Sequence, residues 1–455
     1  MASTSPNTNV THPVQMFSSL RLVRISRLAV PIVAGALATN LMGFIDTIMV
    51  GQLGDSALAG VGIGGQLFFL LLAILLGLAA GVQALVARRV GEDRIHETGV
   101  ILNGGIFLAA LISLPLVVVG YLLTPALFAL LNNDPNVIKD GVTYLSTRMP
   151  SLLIIGINIA FRSYWVGVSL AKWSMVSIIA LSLANVLFNY ALIFGNLGAP
   201  QLGIAGAGLG STLATAVGLL VNIAFAFRLA RPNGFVQGLP DKEQIWSIVK
   251  LSYPESLRQA FFTVGVLTMY VLVGYIGTNE LAAFHVVINI CLLAYMLHIG
   301  VGGAATTLVG EAVGRRDLQE ASGWGWQVSN VGLIALAIPG LIVLSFPEKL
   351  LSLFLTDSST LLLAVIPLQL AVVAHVLDGY SRVLGSSLIG AGATSSAMKL
   401  TLLPQWIFLL PLLSIAVLLG YSLTVAMALL LVSTSISAVC SMYVWRRGRW
   451  QSIGF

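Results

Sequence analysis

Apolar residues in this chain form long continuous runs separated by short polar segments. Twelve runs are long enough to cross a bilayer as helices. They lie near 29–50, 61–87, 100–122, 142–166, 173–195 and 204–229, then near 246–276, 281–310, 325–346, 361–389, 396–419 and 421–445. Membrane-spanning strands would instead alternate apolar and polar residues over about ten positions, so the pattern predicts an all-α membrane protein. The polar segment 1–19 has no signal-peptide core, and Ala29 to Val50 reads as a retained first helix.

The two sets of six runs match without gaps at an offset of 223 residues. Leu28 and Pro31 pair with Leu251 and Pro254, and Val50, Gly51 and Gly54 with Val273, Gly274 and Gly277. Leu58 and Ala59 pair with Leu281 and Ala282; Leu85, Val86, Val90 and Gly91 pair with Leu308, Val309, Val313 and Gly314. Both halves start on the same side, which predicts two pseudo-symmetric six-helix lobes related about the membrane normal, with a site at their interface or within them. The expected organisation is an N-terminal cytoplasmic segment 1–28, a first lobe 29–229, a cytoplasmic linker 230–245, a second lobe 246–445 and a cytoplasmic tail 446–455.

Composition narrows the class. Hydrophobic residues make up 57% of the chain and charged residues 9%, against roughly 25% charged in a soluble domain. That excludes a cytosolic enzyme, a disordered tail and a nucleic-acid binder. The net charge of +6 is explained by where the cations sit. Arg21, Arg24, Arg27, Arg88, Arg89, Arg94, Lys172, Arg228, Arg231, Lys242, Lys250, Arg315, Arg316, Lys399, Arg446, Arg447 and Arg449 flank spans on one side, and the opposite loops offer Lys139 and Lys349. By the positive-inside rule both termini are expected in the cytoplasm, in a multi-pass protein of the cytoplasmic (inner) membrane. Cys291 and Cys440 lie far apart in apolar runs and suggest neither a disulfide nor a metal site. Gly60, Gly62 and Gly65 fit a dinucleotide-binding spacing, but no soluble βαβ unit surrounds them; with Gly64, Gly77, Gly81, Gly206 and Gly210 they read as helix-packing residues. No phosphate-binding loop is present. We therefore expect no catalysis and no cofactor, with energy supplied by an ion gradient or a partner.

The candidate chemistry lies in acids inside apolar spans: Asp46, Glu255 and Asp378. A charge at mid-bilayer costs on the order of 2.5–3.5 kcal/mol on insertion scales, so such acids need water or partners. Asn40, Gly43, Asp46 and Thr47 share a face of the first helix, and Ser182, Asn185 and Asn189 form a stripe on the fifth. If those helices meet, Asp46, Asn185 and Asn189 make an oxygen-rich site of the kind hard cations require; alternatively the asparagines only tie helices together. Glu255 shares a face with Arg258 and Gln259 beyond Pro254, and His375, Asp378 and Arg382 share another. These read either as a cation site or as two intrahelical ion pairs. His285 with Asn289, and His298, add polar points to the eighth span, and Glu311 reads as a solvated partner of Arg315.

With these residues in view, the chain resembles the multidrug and toxic compound extrusion (MATE) family, in its NorM-like branch. The matching segments are Asp46-Thr-Ile-Met-Val-Gly-Gln-Leu-Gly54, Asn185-Val-Leu-Phe-Asn189-Tyr-Ala-Leu-Ile-Phe-Gly195, Gly203-Ile-Ala-Gly-Ala-Gly208, Pro254-Glu255, Gly314-Arg315, Asp378-Gly379-Tyr380 and Gly390-Ala-Gly392-Ala. Asn189 stands where a DinF-like branch carries aspartate, and an aspartate common after the Gly390–Gly392 pair is missing. The resemblance implies a secondary antiporter that exports organic cations or amphipathic drugs in exchange for Na+ or H+. Asp46, Asn185 and Asn189 then match an N-lobe polar cluster, and Glu255 and Asp378 a C-lobe site for Na+. Phe261, Phe262, Tyr270 and Tyr295 are candidates to stack on a flat cation. A monomer in the lipid bilayer is expected. The rival expectation is a lipid-linked precursor flippase of the same broad superfamily, which calls for a cationic central cavity.

Overall fold

The computed structural model describes residues 19–355 and 357–452, so most of the expected N-terminal segment and the end of the expected tail lie outside the described residues. Among the described residues there is helix and no strand. The first half comprises α1 (Ser19–Gly51), α2 (Asp55–Leu76), α3 (Leu78–Gly91), α4 (Thr98–Leu131), α5 (Pro135–Arg148), α6 (Ser151–Gly167), α7 (Ala171–Phe194) and α8 (Ile204–Leu229). The second comprises α9 (Lys242–Ile276), α10 (Thr278–Gly314), α11 (Leu318–Ser345), α12 (Pro347–Leu351), α13 (Ser358–Gly390), α14 (Thr394–Leu403), α15 (Leu410–Leu418) and α16 (Leu423–Arg447).

Among the described residues eleven helical stretches are long and apolar enough to cross a membrane, and the pair α5–α6, bent by 46°, makes a twelfth when counted as one span. The bend falls at Met149–Pro150, where the proline ring has no N–H for the helical ladder. α2 and α3 form one stretch, and α14 and α15 are joined through a turn of π-helix at Pro404–Leu409, again opening on a proline. Several helices outrun their apolar cores because polar side chains cap them: Asp134, Asp241 and Asp357 each accept a backbone N–H at the start of α5, α9 and α13. The hydroxyls of Ser359 and Thr360 also donate to Asp357, and these bonds hold its carboxyl down at about 2.

Glycines set the close approaches. A Cβ at Gly60 would lie 2.7 Å from the Gly141 nitrogen, and one at Gly64 3.0 Å from Tyr144, so these two glycines serve the packing of α2 on α5; Gly62 and Gly65, expected to pack as well, face open space instead. Gly77 and Gly81 admit the Ser252–Ser256 turn and Ile248 of α9.

The two lobes meet at the face that carries the basic residues. Gly91 at the end of α3 abuts the Glu311 carbonyl, and Gly314 at the end of α10 abuts the Arg88 carbonyl. Gly91 and Gly314 are repeat mates at the 223-residue offset, and so are Arg88 and Glu311. The contact is therefore reciprocal and marks the pseudo-two-fold axis. Around it, Gln83 Nε2 donates to the Gly303 carbonyl at 2.8 Å and to Thr307 at 3.0 Å, and Thr307 donates to the Val166 carbonyl at 3.1 Å. Toward the opposite face the last hydrogen bond between lobes, among the described residues, runs from Asn40 to the Met296 sulfur at 3.0 Å.

Beyond that level polar residues are exposed on the helices that flank the junction. On α1, Leu37, Leu41, Phe44 and Ile48 make an exposed apolar stripe suited to lipid, while Thr39, Gly43 and Thr47 are exposed on another side. On α10, Ala282, His285, Asn289 and Leu292 form a partly polar exposed stripe. The molecule is sealed at the basic face and opens as a cleft toward the other.

The seal corrects one sequence expectation. Glu311 is 2% exposed rather than solvated. It pairs with Arg24 of α1 and accepts from the Ser169 hydroxyl at 2.7 Å, both from the other lobe, whereas Arg315 lies 3.9 Å away and bonds Glu320 at 2.8 Å. Closure of the seam brings Arg24 to a carboxylate that local spacing had assigned to its helical neighbour. Removing one partner of a charged hydrogen bond costs about 1.5–3 kcal/mol, so Glu311→Gln is expected to open the basic face. Spin labels at His96 and Gln319, read by pulsed electron resonance, should show longer distances in Glu311→Gln and in Gly314→Ala; distributions identical to wild type would contradict this account of the seal.

Candidate functional site

Three polar centres lie within the spans, and each is built differently. In the first lobe, α1 packs along α7 and brings Asp46 to Asn189, whose Nδ2 donates to Oδ1 at 2.7 Å. Asn185, one turn earlier on α7, is satisfied on both sides when its amide nitrogen faces Asp46: it then donates to Oδ1 at 2.6 Å and accepts from the Ser211 hydroxyl at 3.2 Å. Both asparagines are 1% exposed. Gly210 of α8 leaves the space that Asn189 Oδ1 occupies, since a Cβ there would overlap that atom. Asn189 Oδ1 is buried and accepts no hydrogen bond among the described residues. An unanswered oxygen beside a carboxylate fits a small hard cation or a proton-bearing group.

No guanidinium or ammonium lies within ion-pair distance of Asp46 among the described residues; Arg148 acts on it through space while donating to the Tyr144 hydroxyl and lying 4.7 Å over the Phe68 ring. Asn40 and Thr47, expected on the Asp46 face, are engaged elsewhere. Asn40 bonds the Ala36 carbonyl at 3.0 Å besides Met296, and Thr47 bonds the Gly43 carbonyl at 2.9 Å.

In the second lobe both acids are held by arginines of their own helices. Arg258 grips Glu255 through two nitrogens, with Nε to Oε2 at 2.6 Å, and Gln259 adds a bond at 3.2 Å. Arg382 Nε donates to Asp378 Oδ2 at 2.5 Å, and its guanidinium stacks over Phe262 at 4.5 Å and Tyr295 at 5.5 Å. Two of the aromatics that were candidates for a flat cation thus already face one. Arg258, Gln259, Tyr295, His298, Arg382 and Thr401 are among the residues that line a cavity of about 170 Å³. That is below the ~300–1,000 Å³ of drug-sized sites. His298 is 5% exposed and neither ring nitrogen has a partner among the described residues, while His375 Nδ1 lies 3.0 Å from the Ala371 carbonyl.

The third centre is open to the cleft. His285 meets the Tyr270 hydroxyl at 3.4 Å and Asn289 Nδ2 at 3.0 Å, and all three groups are on the exposed side of the helix pair α9–α10. Sequence reasoning missed two arginines. Arg148 and Arg162 lie inside a run read as a single span, and their only signal was a cation in an otherwise apolar stretch.

Because the C-lobe acids are in ion pairs, removal of one partner leaves a buried charge unanswered, at a cost of about 3–5 kcal/mol. Arg382→Ala should lower the thermal midpoint of the purified protein sharply, and the pair Asp378→Asn with Arg382→Gln should recover most of the loss. Equal stability of Arg382→Ala and wild type would refute a tight pair.

The family model MatE matches the chain twice, over residues 31–191 and 254–415, the second match starting 223 residues after the first. The chain is 26% identical to the multidrug resistance protein NorM of Aliivibrio fischeri over 398 residues, covering 86% of this chain and 85% of that protein. It is 30% identical to a probable multidrug resistance protein NorM of a Synechococcus strain over 408 residues, covering 85% of each. Among solved structures it superposes on an outward-facing multidrug resistance MATE family transporter with a TM-score of 0.86 at 19% identity, over 95% of this chain and 96% of that one. It matches the Vibrio cholerae MATE transporter VcmN in its bent form with a TM-score of 0.86 at 18% identity, over 94% and 97%.

Proposed function

The chain belongs to the MatE family of multidrug and toxic compound extrusion transporters, which are not enzymes, and on that premise we propose that it exports amphipathic organic cations in exchange for inward-moving Na+ or H+. Relatives along most of the chain are named multidrug resistance proteins, which supports drug-like cargo. The arginine-rich face is taken as cytoplasmic by the positive-inside rule, placing the described ends of the chain inside and the protein in the cytoplasmic membrane. The cleft between the lobes then opens outward, and the Glu311 seam is the closed inner gate.

The observation that carries the coupling assignment is the contrast among the three acids. Glu255 and Asp378 are each neutralised by an arginine on the next helical turn, so Na+ there would first have to displace a guanidinium. Asp46 has two amide donors, an unanswered Asn189 oxygen beside it and no ion pair. In the proposed cycle an ion entering from outside neutralises Asp46, which removes the field that holds a cationic cargo and lets the lobes rock to expose the other face. A ligand can shift such an equilibrium only through different affinities for the two states; the changed charge at Asp46 provides the difference. Glu255 and Asp378, with their arginines, then serve to hold α9, α10 and α13 as one rigid unit.

Ethidium efflux from proteoliposomes under separately imposed sodium and pH gradients tests the reading. Either gradient alone should drive efflux in the wild type, identifying the ion, and Asp46→Asn should lower that efflux at least tenfold with expression and thermal midpoint retained. No efflux under either gradient would overturn the exporter. Wild-type efflux by Asp46→Asn would overturn Asp46 as the coupling group.

A further inference from the structure

Away from the ends of the spans the charges do not balance. Three acids, Asp46, Glu255 and Asp378, face four arginines, Arg148, Arg162, Arg258 and Arg382. Arg258 and Arg382 are spent on Glu255 and Asp378, and Arg148 acts on Asp46. Arg162 is left over: among the described residues it enters no ion pair.

Its position shows where that charge points. Arg162 is the one exposed residue in α6. A helix facing lipid exposes a stripe at steps of three and four, but Asn158, Ile159 and Val166 on the same face are buried. Exposure at this single position therefore means an opening within the protein. Val166, one turn nearer the basic face, turns its side chain to Gly303 of the other lobe, and its carbonyl accepts the Thr307 hydrogen bond. Arg162 thus lies one turn above the seam that closes the basic face, on the side of α6 that meets the second lobe, at the floor of the cleft. Its repeat mate at the 223-residue offset is Gly385, so the fold itself does not require a cation at this position.

An arginine without a partner in a membrane interior marks a ligand or ion pathway. The planar guanidinium fork matches two oxygens of a carboxylate or phosphate, a geometry that lysine does not reproduce. We propose that Arg162 is the residue by which the cleft holds an oxyanion, carboxylate or phosphate, on an amphipathic cargo. The assignment rests on the exporter reading and deepens it: molecules carrying an acid as well as a cationic centre are held at both ends, by Arg162 at the floor and by polar and acidic groups higher in the cleft. A phosphate-bearing lipid and a carboxylate-bearing drug present the same chemistry to this residue.

The test uses one xanthene dye in two forms, the free carboxylic acid and its methyl ester, with the full-length chain purified and in proteoliposomes. The wild type should bind and export both, with tighter binding of the acid. Arg162→Gln should weaken binding of the acid about tenfold or more and leave the ester within about twofold, and Arg162→Lys should fall between. The ester serves as the control for folding. Unchanged acid binding by Arg162→Gln, or equal loss of both dyes, would overturn the assignment while leaving the exporter intact. Export of neither dye by the wild type, with both still bound, would instead count against the exporter. Dodecyl phosphate displacing the acid dye from wild type but not from Arg162→Gln would make a phosphate lipid the source of the oxyanion; failure to displace it from wild type would make the source a carboxylate.

Discussion

A carboxylate inside a membrane protein must be answered by a cation, by hydrogen-bond donors or by water, and how each acid is answered determines what it can do. Glu311 is answered across the lobe boundary by Arg24 and Ser169, so its pairing exists only while the basic face is closed. Glu255 and Asp378 are answered within their own helices, and such pairs move as rigid parts of the lobe. At hydrogen-bond distance Asp46 is answered by amides, with Arg148 acting only through space; the amides stabilise the anion without cancelling its charge. One conformational latch, two structural pairs and one group with free charge follow from a single physical constraint.

The repeat sharpens that division. The repeat mates Gly91 with Gly314 and Arg88 with Glu311 lie on the seam, where both lobes must present matching backbone surfaces. The polar centres break the relation. At the 223-residue offset Asp46 corresponds to Met269, Glu255 to Ile32, Asp378 to Ile155 and Arg162 to Gly385. The symmetric part supports rocking of two equivalent bodies, and the asymmetric part gives each body its own chemistry.

Much of this was legible in the sequence because it is local. Long apolar runs gave the spans, and the gapless offset gave the two lobes. Spacings of three and four gave the Glu255–Arg258 and Asp378–Arg382 pairs, one of the two readings left open. The meeting of Asp46 with Asn185 and Asn189 required one assumption, that the first and fifth spans pack together, and α1 and α7 do. What was not legible depends on contacts between distant parts of the chain. Arg24 and Glu311 are 287 residues apart, so spacing favoured Arg315. Asn40 and Thr47 share a face with Asp46 in a helical projection, yet they found nearer partners in Met296 and in their own backbone. The bend at Pro150 and the exposure of Arg162 were masked by a hydrophobic average that a single cation in an apolar run hardly lowers.

The central claim is that the free charge of Asp46, not the paired acids of the second lobe, exchanges the coupling ion for the cargo. The most direct measurement is the proton release, or the sodium dependence of Kd, that accompanies ethidium binding to the purified protein. The account predicts that this linkage disappears in Asp46→Asn and persists in the Asp378→Asn, Arg382→Gln pair. Linkage that survives in Asp46→Asn and is lost in the paired variant would contradict it.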